Sequence, residues 1–189
     1  MPVRGNIFAF AFITALLSSA AVAEDSSASF MTRLFSNVCV PNLGKPEGVR
    51  AWALEEKLAE IPAGPAFDVF VGPGNGGAAW AVPTSFGSFA LSIRGTTHAC
   101  AVYARMADPT DVENYFKKIL EGVARPGLSV KIVTDSRDIS PAGTIHSLIY
   151  SVSVEGMNGR GGLYTMQTAE KSGGPFQATL QAANFVEPQ

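Results

Sequence analysis

The stretch DPTDVENYFKKILEGV, residues 108–123, lies between two blocks of alternating apolar and polar residues, and its reading decides the fold. Asp108 can accept from the free amides of a first helical turn, and Pro109 fits a position where no N–H is needed. Asp111 adds negative charge at the positive end of the helix dipole. Val112, Tyr115, Phe116, Ile119, Leu120 and Val123 then recur at helical spacing and draw one apolar stripe. Pro126-Gly127 ends the helix. A single amphipathic helix between two strand-rich blocks has one face to bury, and a sheet is the surface that takes it.

On the N-terminal side, period-two alternation predicts strands over 78–82, 88–94 and 98–106, with Phe89, Leu91 and Ile93 on one face and Cys100, Val102, Ala104 and Met106 on another. Gly87 and Gly95-Thr96-Thr97 mark the hairpin turns of an antiparallel meander. On the C-terminal side, strands are predicted over 128–134, 144–155, 162–169 and 176–185. Leu148, Tyr150, Val152 and Val154 share one face there, and Ser147, Ser151 and Ser153 the other. Residues 135–138 read as a turn. The expected fold class is α+β: an antiparallel sheet of six or seven strands with helices packed on one face and one disulfide.

Further upstream, Phe30, Met31, Leu34, Phe35 and Val38 predict a helix over 30–38 that carries Cys39 on its buried side and ends before Pro41. A second helix is predicted over 47–60, begun at Pro46 and stopped by Pro62, Gly64 and Pro65. Residues 67–71 read as a short apolar piece.

At the N-terminus, Arg4 is followed by an apolar run from Ile7 to Leu17 and small residues ending in Ala21-Val22-Ala23. This is the pattern of a secretory signal peptide, with cleavage expected after Ala23. The run is shorter than the roughly 20 apolar residues of a membrane span, and no later segment is long enough either, so no transmembrane anchor is expected. Residues 24–189 then form a single domain, periplasmic or secreted. It holds 13 Lys and Arg against 16 Asp and Glu, a scattered net charge of −3 that gives no footprint for nucleic acid. Cys39 and Cys100 are the only cysteines, and an even pair in an exported chain reads as a disulfide.

Motifs for chemistry are sparse. Gly72-Pro73-Gly74-Asn75-Gly76-Gly77 matches G-x-G-x-x-G, but it precedes a predicted strand, whereas a dinucleotide loop precedes a helix N-terminus. No cofactor is expected. His98-Ala99-Cys100 offers two metal ligands on one strand face, yet Cys100 is engaged in the disulfide and no second cluster exists, so no metal is expected. His146, with Leu148 and Tyr150 on its side of the strand, reads as a half-buried sheet histidine. It is also the residue around which a hydrolase would be built, with Asp135 or Asp138 as partner. Ser147 points to the opposite face and cannot act with it. Asp111, Glu113, Asp135 and Asp138 are the carboxylates available for acid–base work, and no catalytic residue is assigned. Trp80, Arg94, Tyr103 and Arg105 are the residue types that dominate binding hot spots and are taken as a candidate binding surface. The segment Met157-Asn158-Gly159-Arg160-Gly161-Gly162 is a second exposed candidate.

Three short motifs, Phe35-Ser36-Asn37-Val38-Cys39, Ala79-Trp80 and Cys100-Ala101-Val102-Tyr103-Ala104-Arg105, together resemble those of a group of short exported proteobacterial proteins of unknown function. The resemblance covers residues 30–120 and implies export and the disulfide; that group has no established activity to transfer. The expected function is an exported, non-enzymatic binding or interaction protein of the bacterial envelope, of inhibitor or immunity type, with a protein partner. The alternatives are a periplasmic hydrolase using His146 and an envelope assembly factor.

Overall fold

A computed structural model describes residues 26–141, 143–154 and 160–186. The predicted signal segment and residues 157–159 of the second glycine-rich segment lie outside them. The chain forms helices α1 (Ser27–Leu34), α2 (Pro46–Glu55), α3 (Pro65–Val71) and α4 (Pro109–Val123), and strands β1 (Ala59–Glu60), β2 (Gly77–Thr84), β3 (Gly87–Arg94), β4 (Cys100–Ala104), β5 (Leu128–Ser140), β6 (Gly143–Val154), β7 (Arg160–Ala169) and β8 (Ala178–Val186). All eight strands make one antiparallel sheet in the order β1-β2-β3-β4-β8-β7-β6-β5. Two meanders are thus joined along β4 and β8. α4 carries the chain from β4 to the far edge, and β6, β7 and β8 return to meet it.

β4 is central, and all five of its residues are buried. Cys100, Val102 and Ala104 join Leu91, Ile93, Leu148, Met166 and Leu180 on the face covered by α1 and α4, where Phe35 and Phe116 are fully buried. Ala101 and Tyr103 face the other way, into a smaller cluster with Ala90, Ile61, Phe70 and Phe176. α1 starts at the Ser26 N-cap, whose hydroxyl accepts from Ser29 N–H at 3.2 Å, and runs into a π-helical turn, Phe35–Cys39. That turn brings Cys39 to the start of β4, where it is bonded to Cys100 with the Cα atoms 5.3 Å apart. The stripe predicted on α4 is the buried one, and Asp108 caps the helix by accepting from Asp111 N–H at 2.9 Å.

Five expectations need correction. The second helix stops at Glu55 rather than residue 60. Lys57 takes a left-handed conformation (φ 54°), and the N–H groups of Lys57 and Leu58 turn back to the carbonyls of Leu54 and Ala53, a Schellman closure. This frees Ala59–Glu60 to pair with β2 and raises the strand count to eight. Residues 67–71 belong to a helix, α3, for which Pro65 is a first-turn residue rather than a stop. α3 packs on the face opposite α1 and α4, because the Phe70 carbonyl accepts from the Tyr103 hydroxyl at 2.7 Å, so helices are found on both sides of the sheet. Residues 135–138 are not a turn, since β5 continues through them to Ser140.

Candidate functional site

The continuation of β5 depends on a β-bulge. Up to Ile132 the even-numbered residues pair with the core-facing residues of β6: Leu128 with Val154, Val130 with Val152, Ile132 with Tyr150. The register then shifts between Ile132 and Thr134. Beyond it the odd-numbered residues face the core side, with Asp135 opposite Leu148 and Arg137 opposite His146. One extra residue therefore moves Asp135 and Arg137 onto the face from which His146 projects. Without it that face would present Thr134 and Ser136.

His146 is buried, with only 5 % of its surface exposed, beneath the first turns of α4. Its Nδ1 lies 3.1 Å from Glu113 Oε2 on α4, and its Nε2 lies 2.8 Å from Asp135 Oδ1 on β5. Glu113 Oε1 accepts from Lys117 Nζ at 2.7 Å, one helical turn further on. Ionised carboxylates only accept, so each carboxylate is bonded through a ring N–H of His146 where that nitrogen carries one. Lys117, Glu113, His146 and Asp135 thus form one contiguous chain of polar contacts from α4 to β5. Burial pushes the Glu113 carboxyl up, but the hydrogen bond and charge of Lys117, followed by those of His146, outweigh it and hold the group below its ordinary value. The bond to Glu113 in turn raises the Lys117 ammonium.

This cluster borders a cleft of about 510 Å³ lined by Thr110 at the start of α4, Arg137, Thr144, His146, Thr168 and Glu170. Thr168 pairs with His146 across β6 and β7. Glu170 accepts the backbone N–H of Thr144 at 3.2 Å, and that bond together with the Thr144 hydroxyl holds its carboxyl below the ordinary value. Ser147 is on the other face, where its hydroxyl accepts from Gln167 Nε2 at 3.2 Å. His146 and Asp135, paired in the sequence reading only as a hydrolase option, are thus brought together, and Glu113 joins them. Asp138 faces the opposite side of β5, paired with Ile145. Asp111 sits in the first turn of α4, as its spacing from Asp108 implies.

The candidate surface of Trp80, Arg94, Tyr103 and Arg105 does not assemble. Trp80 is a core residue on the face covered by α1 and α4, whereas Tyr103 is buried on the opposite face between Phe70 and Phe176, at ring-centroid distances of 5.3 and 4.8 Å. Arg94 is partly buried at the end of β3, with no partner for its Nε among the described residues, and Arg105 is exposed beyond β4. Period-two alternation places Trp80 on β2 and Tyr103 on β4, two strands away, but the face of each follows from register. His98 also changes place: with φ 51° it sits exposed in the β3–β4 turn, outside the strand that holds Cys100. The glycine loop precedes β2, a strand, and Gly77 at φ 121° would put a Cβ 2.0 Å from the Ile93 carbonyl oxygen, so it is a tight approach to β3.

The class defined here is an α+β domain with one eight-stranded antiparallel sheet, one disulfide and a polar cleft beside a histidine held between carboxylates. No family model, curated protein or solved structure matches the chain.

Proposed function

We propose that the chain is an exported, non-enzymatic binding protein whose cleft beside the start of α4 receives its ligand. The observation that carries this reading is the occupancy of both His146 nitrogens. A general base needs a lone pair aimed at the proton it removes. Here Nδ1 faces Glu113 and Nε2 faces Asp135, so the imidazole ties α4 to β5 and β6. Among the described residues the other cleft groups are threonines, an arginine and glutamates, a set suited to holding polar ligands. Export is supported by the disulfide, which suits an oxidising compartment, and by the resemblance of three short motifs to those of exported proteins. Among the described residues no helix is long and apolar enough to cross a membrane.

The test expresses the full chain in its native host, recovers it from the exported fraction and reads two quantities. The N-terminus should be Glu24, since an intact Met1 removes the export reading. Chromogenic ester, amide and glycoside substrates should not be turned over. A turnover that disappears in His146→Asn with unchanged melting would establish the hydrolase instead.

A further inference from the structure

Arg137, Glu170 and Thr168 line the cleft outside the Lys117–Glu113–His146–Asp135 chain. Arg137 stands directly across the strand pair from His146, is exposed, and forms no ion pair or side-chain hydrogen bond among the described residues. Glu170, on the β7 side, makes no ion pair there either, so Arg137 and Glu170 line one cleft without pairing with each other. Thr168 is all but 4 % buried, forms no side-chain hydrogen bond among the described residues, and lines the same cleft. Its hydroxyl opens to the cleft rather than into the core, where a ligand group can reach it. The first turn of the fifteen-residue α4 also borders the cleft at Thr110, where Asp108 and Asp111 already answer its dipole.

These groups divide by charge. Arg137 and the Thr168 hydroxyl suit a carboxylate, for which a guanidinium fork is the matched donor. Glu170 suits an ammonium. A ligand that carries both charges can engage Arg137 and Glu170 at once, whereas one with a single charge engages only one of them. The volume of about 510 Å³ lies in the usual range for small-ligand sites, roughly 300–1,000 Å³.

We propose that the cleft binds a small zwitterion of the amino-acid or short-peptide class, its carboxylate on Arg137 and Thr168 and its ammonium on Glu170. The assignment rests on the binding-protein reading above and names the ligand chemistry of that site.

The experiment is a ¹H–¹⁵N NMR titration of the mature exported protein with three probes: Ala-Ala, N-acetyl-Ala-Ala and Ala-Ala-amide. Ala-Ala is expected to shift the amides of Thr144 and Thr168 saturably. Removing either terminal charge should weaken binding about tenfold or more, the effect of one charge-assisted hydrogen bond. Arg137→Gln, a change at an exposed position, should weaken Ala-Ala and N-acetyl-Ala-Ala by a similar factor while leaving the residual affinity of Ala-Ala-amide unchanged. Thr168→Val should weaken the same two probes. The proposal is overturned if Ala-Ala leaves these amides unmoved up to millimolar concentration. It is equally overturned if N-acetyl-Ala-Ala binds as well as Ala-Ala, for the site is then a plain anion site and the binding-protein reading survives alone. Failure of that reading would show separately, as substrate turnover dependent on His146.

Discussion

The contacts around His146 give an unequal pair of energies that a double-mutant cycle can measure. Glu113 is the sheltered partner, its side chain 21 % exposed, and it reaches from α4 to β6. Asp135 is 58 % exposed and solvent screens its pairing. Replacing Glu113 by the isosteric Gln converts a charge-assisted hydrogen bond into a neutral one at a mostly buried position, a loss of about 1–2 kcal/mol. Asp135→Asn acts at a screened site and should cost under about 1 kcal/mol. His146→Leu keeps a similar volume and removes both contacts. In the His146→Leu background, Glu113→Gln should therefore lose only its bond to Lys117, worth about 0.3–0.5 kcal/mol for an i, i+4 pair. The coupling between positions 113 and 146 is the difference, roughly 1 kcal/mol. Urea unfolding followed by tryptophan fluorescence suits the measurement, because Trp80 is buried in the main core. In thermal melts 1 kcal/mol corresponds to about 2–4 °C for a domain of this size. A coupling within about 0.3 kcal/mol of zero, the usual scatter of additive sites, would refute the claim that Glu113 and His146 form one unit. An Asp135→Asn effect larger than that of Glu113→Gln would refute the assigned order.

The same unit has an acid-side signature. The Glu113 carboxyl is depressed in the folded protein, so its contribution is complete above its ordinary value of 4.5 and is lost as pH falls through the folded value. The stability gap between wild type and Glu113→Gln should be constant near neutrality and close in acid; a gap that widened in acid would reverse the sign. Reducing the Cys39–Cys100 bridge opens a sequence separation of 61 residues, and the chain-entropy model assigns the closure about 4 kcal/mol. Melts with and without reductant should differ by more than 8 °C, and coincident curves would contradict a bridge that stabilises the fold. Asp108→Ala removes the acceptor for Asp111 N–H and should destabilise by about 1 kcal/mol, whereas Asp108→Ser should restore most of it; if Ser behaves like Ala, the loss is not a capping effect.

The placement of the cluster shows why the sequence reading stopped short of it. His146 could be assigned to the face of Leu148 and Tyr150, since alternation fixes side-chain direction within a strand. Glu113 could be placed one helical turn from Lys117 for a similar reason. That the two meet is a matter of how α4 lies on the sheet, with 33 residues of chain between them. Asp135 was less legible still. Its segment, Asp135-Ser136-Arg137-Asp138, has the composition of a turn, and it is a strand only because Ile145, His146, Ser147 and Leu148 of β6 pair opposite it. The bulge after Ile132 leaves no recognisable mark, since no glycine stands there.

By itself the sequence determined the features written in local periodicity and local chemistry. These are the capped and striped α4, the alternating strands on either side of it, the α+β class and the cysteines available for one bridge. Each depends on residues a few positions apart, whose relative directions are set by the backbone repeat. Tertiary structure alone decided that β8 closes against β4 and that α3 covers the second face. It also decided that Trp80 and Tyr103 lie on opposite sides of the sheet and that Asp135 and Arg137 turn toward His146. The physical reason is register. Side chains in a strand alternate with a period of two, so a shift of one residue exchanges the faces of everything beyond it. That shift is chosen by strands and helices packed together from distant parts of the chain.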